Sequence, residues 1–204
     1  MIKSHFMNNI ILYAVIILSF AVGISTGAIT VTALSQEQST ELCNYMKDFF
    51  SVLNTQNISN LDLFKTSIFD NIKNIILLWF LGITVIGIPF VLIMIGLKGF
   101  VTGFTVGFLI RYLGFKGVIF SLVGILPQSL IVVPCYIALG VICIAFSLTI
   151  FKNRSSKHRR EDIKTSFLAY TTLILILLCL VSLGSVVEAY VTPVFIKSLA
   201  KIFI

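Results

Sequence analysis

The stretch from residue 96 to 117, GLKGFVTGFTVGFLIRYLGFKG, combines six glycines with three cations, residue types from which phosphate-binding loops are built. Such a loop has the pattern G-x-x-x-x-G-K-[ST] between a strand and a helix, and its backbone N–H groups hold the phosphates. Here each lysine precedes a glycine, and apolar residues flank the stretch on both sides. No phosphate-binding loop is predicted.

Groups that could support catalysis or metal binding are sparse. The chain has two histidines and four cysteines, with no CxxC or HExxH motif, and three of the cysteines lie in apolar runs where cysteine acts as a small hydrophobe. No acidic residue lies in the core of an apolar segment, and Glu188 lies at the edge of the last one. We therefore expect no metal, no cofactor and no catalytic residue, and the chain is predicted not to be an enzyme.

Composition indicates an integral membrane protein. The 204 residues are 58% hydrophobic and only 11% charged, less than half of the charge content of a typical soluble domain. The net charge is +7, but six of the fifteen cations cluster between Lys152 and Lys164 in KNRSSKHRREDIK. Such a cluster beside a membrane segment marks the cytoplasmic side and favours contact with lipid headgroups rather than nucleic acid.

Hydropathy and loop charge predict one all-α domain over residues 1–204 with about five transmembrane helices. The amino terminus is expected in the cytoplasm and the carboxyl terminus outside, because the cation cluster must be separated from the acidic loop by an odd number of crossings. The predicted spans are about 10–34, 75–95, 97–113, 118–150 and 165–187, with an outside loop 35–74, a cytoplasmic loop 151–164 and an outside tail 188–204.

The fourth segment is too long for one crossing. As a single helix, 118–150 would run about 50 Å, and the membrane core is about 30 Å thick. Pro127 and Pro134 each remove a backbone donor, so a break is predicted at 127–134, with Gln128 and Ser129 inside it. A broken helix at this depth must face protein or a water-filled cavity.

The outside loop carries an amphipathic helical pattern. Ser35 and Gln38 form a candidate capping box at its start, and a second helical phase from 61 to 72 runs into the second span. Two interpretations stay open: the resulting hairpin covers the outer ends of the spans, or its apolar stripe docks another protein. The candidate partner-binding residues are Tyr45, Phe49, Phe50, Phe64 and Ile68.

Glycine spacing predicts close helix packing. Gly99, Gly103 and Gly107 recur every four residues, so they line one helix face on which another backbone can approach closely. Gly82 and Gly87 are expected to mark a matching, loosened helix beside it and to take part in the same packing. The sequences GLKG and GFKG are predicted to be tight turns whose lysines reach the membrane interfaces. A homo-oligomer is compatible with this pattern.

The segment LLWFLGITVIGIPFVLIMIGLKGFVTGFTVGFLI, followed by ILPQSLIVVP, closely resembles the stage II sporulation protein M family of endospore-forming bacteria. The resemblance runs over nearly the whole chain and is densest from 75 to 150. It implies a multi-pass protein of the mother-cell septal and engulfing membrane. It also implies a scaffold for two peptidoglycan-degrading partners, stage II sporulation proteins D and P, during engulfment of the forespore.

A wider group of related membrane proteins has a pattern like P-H-G-x-x-E-x-P at the helix break. Both prolines are retained here, but Gln128, Ser129 and Val132 stand in place of the histidine, glycine and glutamate. The polar groups that would bind an ion or relay a proton are therefore expected to be absent. A permease-like transport subunit is the alternative function, with Gln128 and Ser129 as its candidate residues.

Overall fold

The structure, a computed structural model, describes residues 9–55, 60–153 and 160–192, and within those ranges the secondary structure is helical. Five of the helices are long and apolar enough to cross a membrane. The prediction of an all-α, polytopic membrane protein with five transmembrane helices is confirmed. In chain order the helices are α1 (Ile10–Ala33), α2 (Gln36–Thr55), α3 (Asn60–Ile83), α4 (Gly87–Leu113), α5 (Phe115–Phe120), α6 (Leu126–Asn153) and α7 (Arg160–Val186), with π-helical turns at Ser121–Ile125 and Val187–Val191.

Successive membrane helices alternate in direction. Helices α3 and α6 run parallel, since Asn71 lies beside Tyr136 and Thr84 beside Ser147. Helix α7 runs against α3, because its later residue Ser185 contacts Asn71. The described chain therefore starts and ends at opposite ends of the bundle, as five crossings require.

The core of the bundle lies where α3, α6 and α7 meet. Side chains that are fully buried there include Leu78, Cys143 and Val181. Hydroxyl groups tie the helices together: Tyr170 donates to the carbonyl of Trp79 over 2.8 Å, and Ser147 donates to the carbonyl of Thr84 over 2.9 Å. The outward faces carry many exposed large apolar side chains, as lipid contact requires.

The turn between the second and third spans lies earlier than predicted. Helix α3 ends at Ile83 and α4 begins at Gly87, so the spans predicted at 75–95 and 97–113 have the wrong boundary. Pro89 sits in the first turn of α4, where a backbone N–H has no helical partner to lose. The GLKG sequence is not a turn, since α4 passes through it. The GFKG sequence does contain a turn, because Gly114 adopts a φ of 58°.

The fourth segment is not broken at 127–134. A continuous helical stretch runs from Phe115 to Lys152, and Pro134 lies inside α6. The irregularity precedes the prolines: the N–H of Leu126 bonds to the carbonyl of Ser121, one residue further back than in an α-helix. Pro127 has no backbone N–H to donate to the carbonyl of the fourth residue before it. The wider π-helical turn accommodates the loss of that hydrogen bond without ending the helix.

Helix α2 stands apart from the bundle. The predicted capping box at its start is confirmed: the Ser35 N–H donates to Gln38 Oε1 over 3.1 Å, and the Gln38 N–H donates to Ser35 Oγ over 3.3 Å. After this capping box, α2 makes no extensive contact with the other described helices. Helix α3 begins at Asn60 and contains the second helical phase, which runs into the second span as predicted. Because α2 does not pack extensively on any described helix, the interpretation that the hairpin covers the outer ends of the spans is wrong. Residues 154–159 of the predicted cytoplasmic loop and 193–204 of the predicted tail lie outside the described residues.

Candidate functional site

Helices α1 and α4 pack with their backbones in contact through glycines. A methyl group added at Gly99 would meet the carbonyl oxygen of Phe20, and one added at Gly103 would meet that of Ile24. The partner face on α1 has Gly23 and Gly27, which were not singled out from the sequence. Their spacing in GISTG is the same small-xxx-small pattern and could have identified them.

The other glycines predicted to mediate packing lie at three different places. A methyl group at Gly107 would lie 3.2 Å from Cα of Ala28, an easier contact than at Gly103. Gly82 leaves room for the hydroxyl of Tyr170. Gly87 is the first residue of α4, directly after the turn, and its N–H bonds to the carbonyl of Thr84 over 3.0 Å.

A cavity of about 670 Å³ opens between α3, α4, α6 and the π-helical turn at Val187–Val191. Its lining mixes apolar side chains with side chains able to donate or accept hydrogen bonds. Gln128 and Ser129, predicted from the sequence, both line it. The polar side chains are Asp70, Lys73, Asn74, Lys98, Thr102, Thr105, Gln128, Ser129, Tyr136 and Glu188.

Gln128 is bonded to the carboxylate of Glu188. Its amide nitrogen donates to Glu188 Oε2 over 2.6 Å, and the hydroxyl of Ser67 donates to the same oxygen. The three side chains join α6, the end of the last span and α3. The expectation that polar groups are absent beside Pro127 is therefore wrong: the carboxylate there comes from residue 188 and not from position 132.

The two predicted prolines differ in position. Pro127 is half-buried near the end of the π-helical turn, next to the residues that line the cavity. Pro134 is exposed on the outside of α6 and does not face the cavity.

A second polar network lies deeper in the bundle. Buried Asn71 donates to Ser185 Oγ over 3.0 Å and accepts from the hydroxyl of Tyr136 over 3.1 Å. Lys98 places its ammonium 4.9 Å from the centre of the Tyr136 ring, within the range of a cation–π contact. Lys98 lies near the middle of α4 and not at a membrane interface, so its predicted position was wrong.

Sequence reasoning missed Lys98, Asn71 and Glu188 as parts of one site. A lysine inside a 27-residue helix is a signal that could have been used, because ionisable residues within membrane segments usually face a cavity or a partner. A turn predicted at GLKG hides this signal, because it places Lys98 between two spans instead of inside one.

The residues predicted to bind a partner are divided between α2 and α3. Tyr45 on α2 is 79% exposed. Phe64 and Ile68 are half-buried on α3 and belong to the second span. The side chains of Phe49 and Phe50 lie outside the described residues.

The fold and the cavity define a multi-pass helical membrane protein with a polar site enclosed among its spans. Among the described residues, no three His, Cys, Asp or Glu side chains converge to hold a metal ion. The chain belongs to the stage II sporulation protein M family, whose model matches residues 15–193. It is a sporulation-related membrane protein. Comparisons with curated proteins and with solved structures give no match.

Proposed function

We propose that this chain is a membrane scaffold that recruits and anchors peptidoglycan-degrading enzymes while the mother-cell membrane engulfs the forespore. The partners are stage II sporulation proteins D and P, as family membership suggests. The observation that carries this proposal is α2, a 20-residue amphipathic helix held beside the bundle without packing on it.

The apolar stripe of α2 favours a protein partner. A surface helix gains most of its stability by burying its apolar face, and the described bundle does not cover that of α2. Tyr45 lies in this stripe and is well exposed. Aromatic side chains of this kind are the usual anchors of protein interfaces. An amphipathic helix laid into a partner's groove is a common mode of recognition.

The proposed side of the membrane follows from charge. The cations from Lys152 to Lys164 belong in the cytoplasm by the positive-inside rule, which places α2 outside, where peptidoglycan is. The amino terminus is then cytoplasmic and the carboxyl terminus outside. In this role the chain performs no reaction itself, because the hydrolases supply the chemistry.

Affinity purification from sporulating cells tests the proposal. The wild-type chain should copurify with both hydrolases. The double change Tyr45→Asp and Phe49→Asp should lower their recovery about tenfold or more, since hot-spot aromatics each contribute about 2 kcal/mol or more. Asn44→Asp adds a charge to the opposite, exposed face of α2 and should leave recovery unchanged. Failure of either hydrolase to copurify with the wild-type chain would contradict the proposal.

A second candidate function, a permease-like transport subunit, is favoured by one observation, the polar cavity among the spans. Transporter substrate sites lie near the bilayer midplane, and Lys98, which lines the cavity, lies near the middle of α4. In this alternative Gln128 and Ser129 contact the transported solute, and removal of Gln128 abolishes function while the protein remains abundant.

A further inference from the structure

Lys98 and Glu188 carry opposite charges around the cavity without forming an ion pair. No described carboxylate lies within 4.0 Å of the Lys98 ammonium. Asp70, the other carboxylate of the cavity, already pairs with Lys73 at 3.4 Å. Both Glu188 and Asp70 are near enough to act on Lys98 electrostatically. One cation and one anion are therefore left facing the same space.

The two charges are unequally satisfied. The Glu188 carboxylate accepts hydrogen bonds from Gln128 and Ser67, both neutral donors. The three N–H donors of Lys98 have no described acceptor, and the ring of Tyr136 contacts the ammonium by a cation–π interaction alone. An ammonium within a membrane segment is costly unless an anion or water accompanies it. The site thus needs a negative group near Lys98 and has room for a positive group near Glu188.

The cavity has the size and the opening for such a ligand. Its volume of about 670 Å³ lies within the range of small-ligand sites. Leu97 and Val101 stand on its α4 side and are 53% and 60% exposed. Because this face of α4 is apolar and outward, a molecule with hydrocarbon chains can reach the cavity from the bilayer.

We propose that the cavity binds a zwitterion with a phosphate and a primary ammonium, the chemistry of an aminophospholipid headgroup. The phosphate accepts hydrogen bonds from Lys98, and the ammonium donates to Glu188. A soluble amino phosphate shares this chemistry, and the experiment below separates the two sources. The proposal concerns binding and does not depend on the scaffold role.

The test is thermal unfolding of the purified full-length chain in detergent micelles, with phosphatidylethanolamine, phosphatidylglycerol or soluble phosphoethanolamine added. Phosphatidylethanolamine should raise the midpoint temperature of unfolding. Half of the maximal rise should be reached at a concentration about tenfold lower than with phosphatidylglycerol, because phosphatidylglycerol lacks the ammonium. If phosphoethanolamine raises the unfolding midpoint as much as phosphatidylethanolamine does, the ligand is a soluble amino phosphate. If only phosphatidylethanolamine raises it, the ligand is a lipid. Equal effects of the two lipids, or no effect of either amino phosphate, would overturn the proposal.

Three variants assign the effect to the two charges. Lys98→Met should abolish stabilisation by phosphatidylethanolamine. Glu188→Gln keeps an acceptor for Gln128 and Ser67 and should remove only the preference over phosphatidylglycerol. Lys65→Met removes the same charge from an exposed position on α3 and should respond as the wild type does. An unchanged response in both Lys98→Met and Glu188→Gln would show that the lipid binds elsewhere.

Discussion

At the scale of single residues, glycines set the distance between α1 and α4. Each helix contributes glycines whose missing side chains leave space for a carbonyl oxygen of the other helix, as at Gly27 and Gly103. Lipid is as apolar as leucine, so the hydrophobic effect does little to bring such helices together. Close van der Waals contact between backbones replaces it.

Gly103→Ala should destabilise the protein by about 1–3 kcal/mol, the usual cost of overpacking, because its methyl group would overlap the carbonyl of Ile24. Gly96→Ala is the matched control on the same helix: its methyl group would lie 3.3 Å from Ser19 Oγ and 3.6 Å from the Ser19 carbonyl oxygen, so it would overlap no backbone atom. Urea unfolding in detergent micelles measures the free energy of unfolding of both variants. Equal midpoints for Gly103→Ala and the wild type would show that α1 and α4 are not in backbone contact.

Part of this residue-level account could be predicted and part could not. The spacing of Gly99, Gly103 and Gly107 is local, so it predicts a shared helix face from the sequence alone. The pairing of Gln128 with Glu188 is not local, because it depends on how α6 and the end of α7 rotate about their axes. Hydropathy carries no information on that rotation, so the position of Glu188 at the edge of a span does not predict its partner.

At the scale of helices, the positions of glycine and proline together determine where each helix begins and ends. The glycines that flank Lys98 predict a turn, whereas in the structure they lie inside α4, where Gly99 packs against α1. The true turn, at 84–86, is followed by Pro89, which suits the first turn of a helix. Pro134 stays inside α6, so a proline in a membrane helix is not by itself a break. The number and type of helices were predictable, and their limits near glycine were not.

Helix α2 should lie on the outer side of the membrane. Cys43 on α2 should react with a membrane-impermeant maleimide on intact cells, and the signal should disappear in Cys43→Ser. A cysteine introduced by Lys164→Cys in the Cys43→Ser background is exposed near the start of α7, at the opposite end of the bundle. It should react only after the cells are opened. Labelling at 164 but not at 43 on intact cells would invert the topology.

At the scale of the whole molecule, the bundle has two separate surfaces that could carry function. One is α2, beside the bundle, and the other is the cavity that contains Gln128, Lys98 and Glu188. In the scaffold account α2 carries recruitment, and the bundle holds it at the membrane. Gln128 then serves stability, since it donates to a half-buried carboxylate. Its loss should cost about 1.5–3 kcal/mol, the value of a hydrogen bond to a charged group.

The most direct measurement is engulfment in sporulating cells that carry each variant as their only copy, with membranes stained and protein abundance quantified. Tyr45→Asp with Phe49→Asp should leave the protein in the membrane and block engulfment. Gln128→Leu should reduce engulfment only as far as it reduces abundance, with both hydrolases still recruited. A Gln128→Leu protein that accumulates normally, recruits both hydrolases and still blocks engulfment would contradict the scaffold account and favour transport through the cavity.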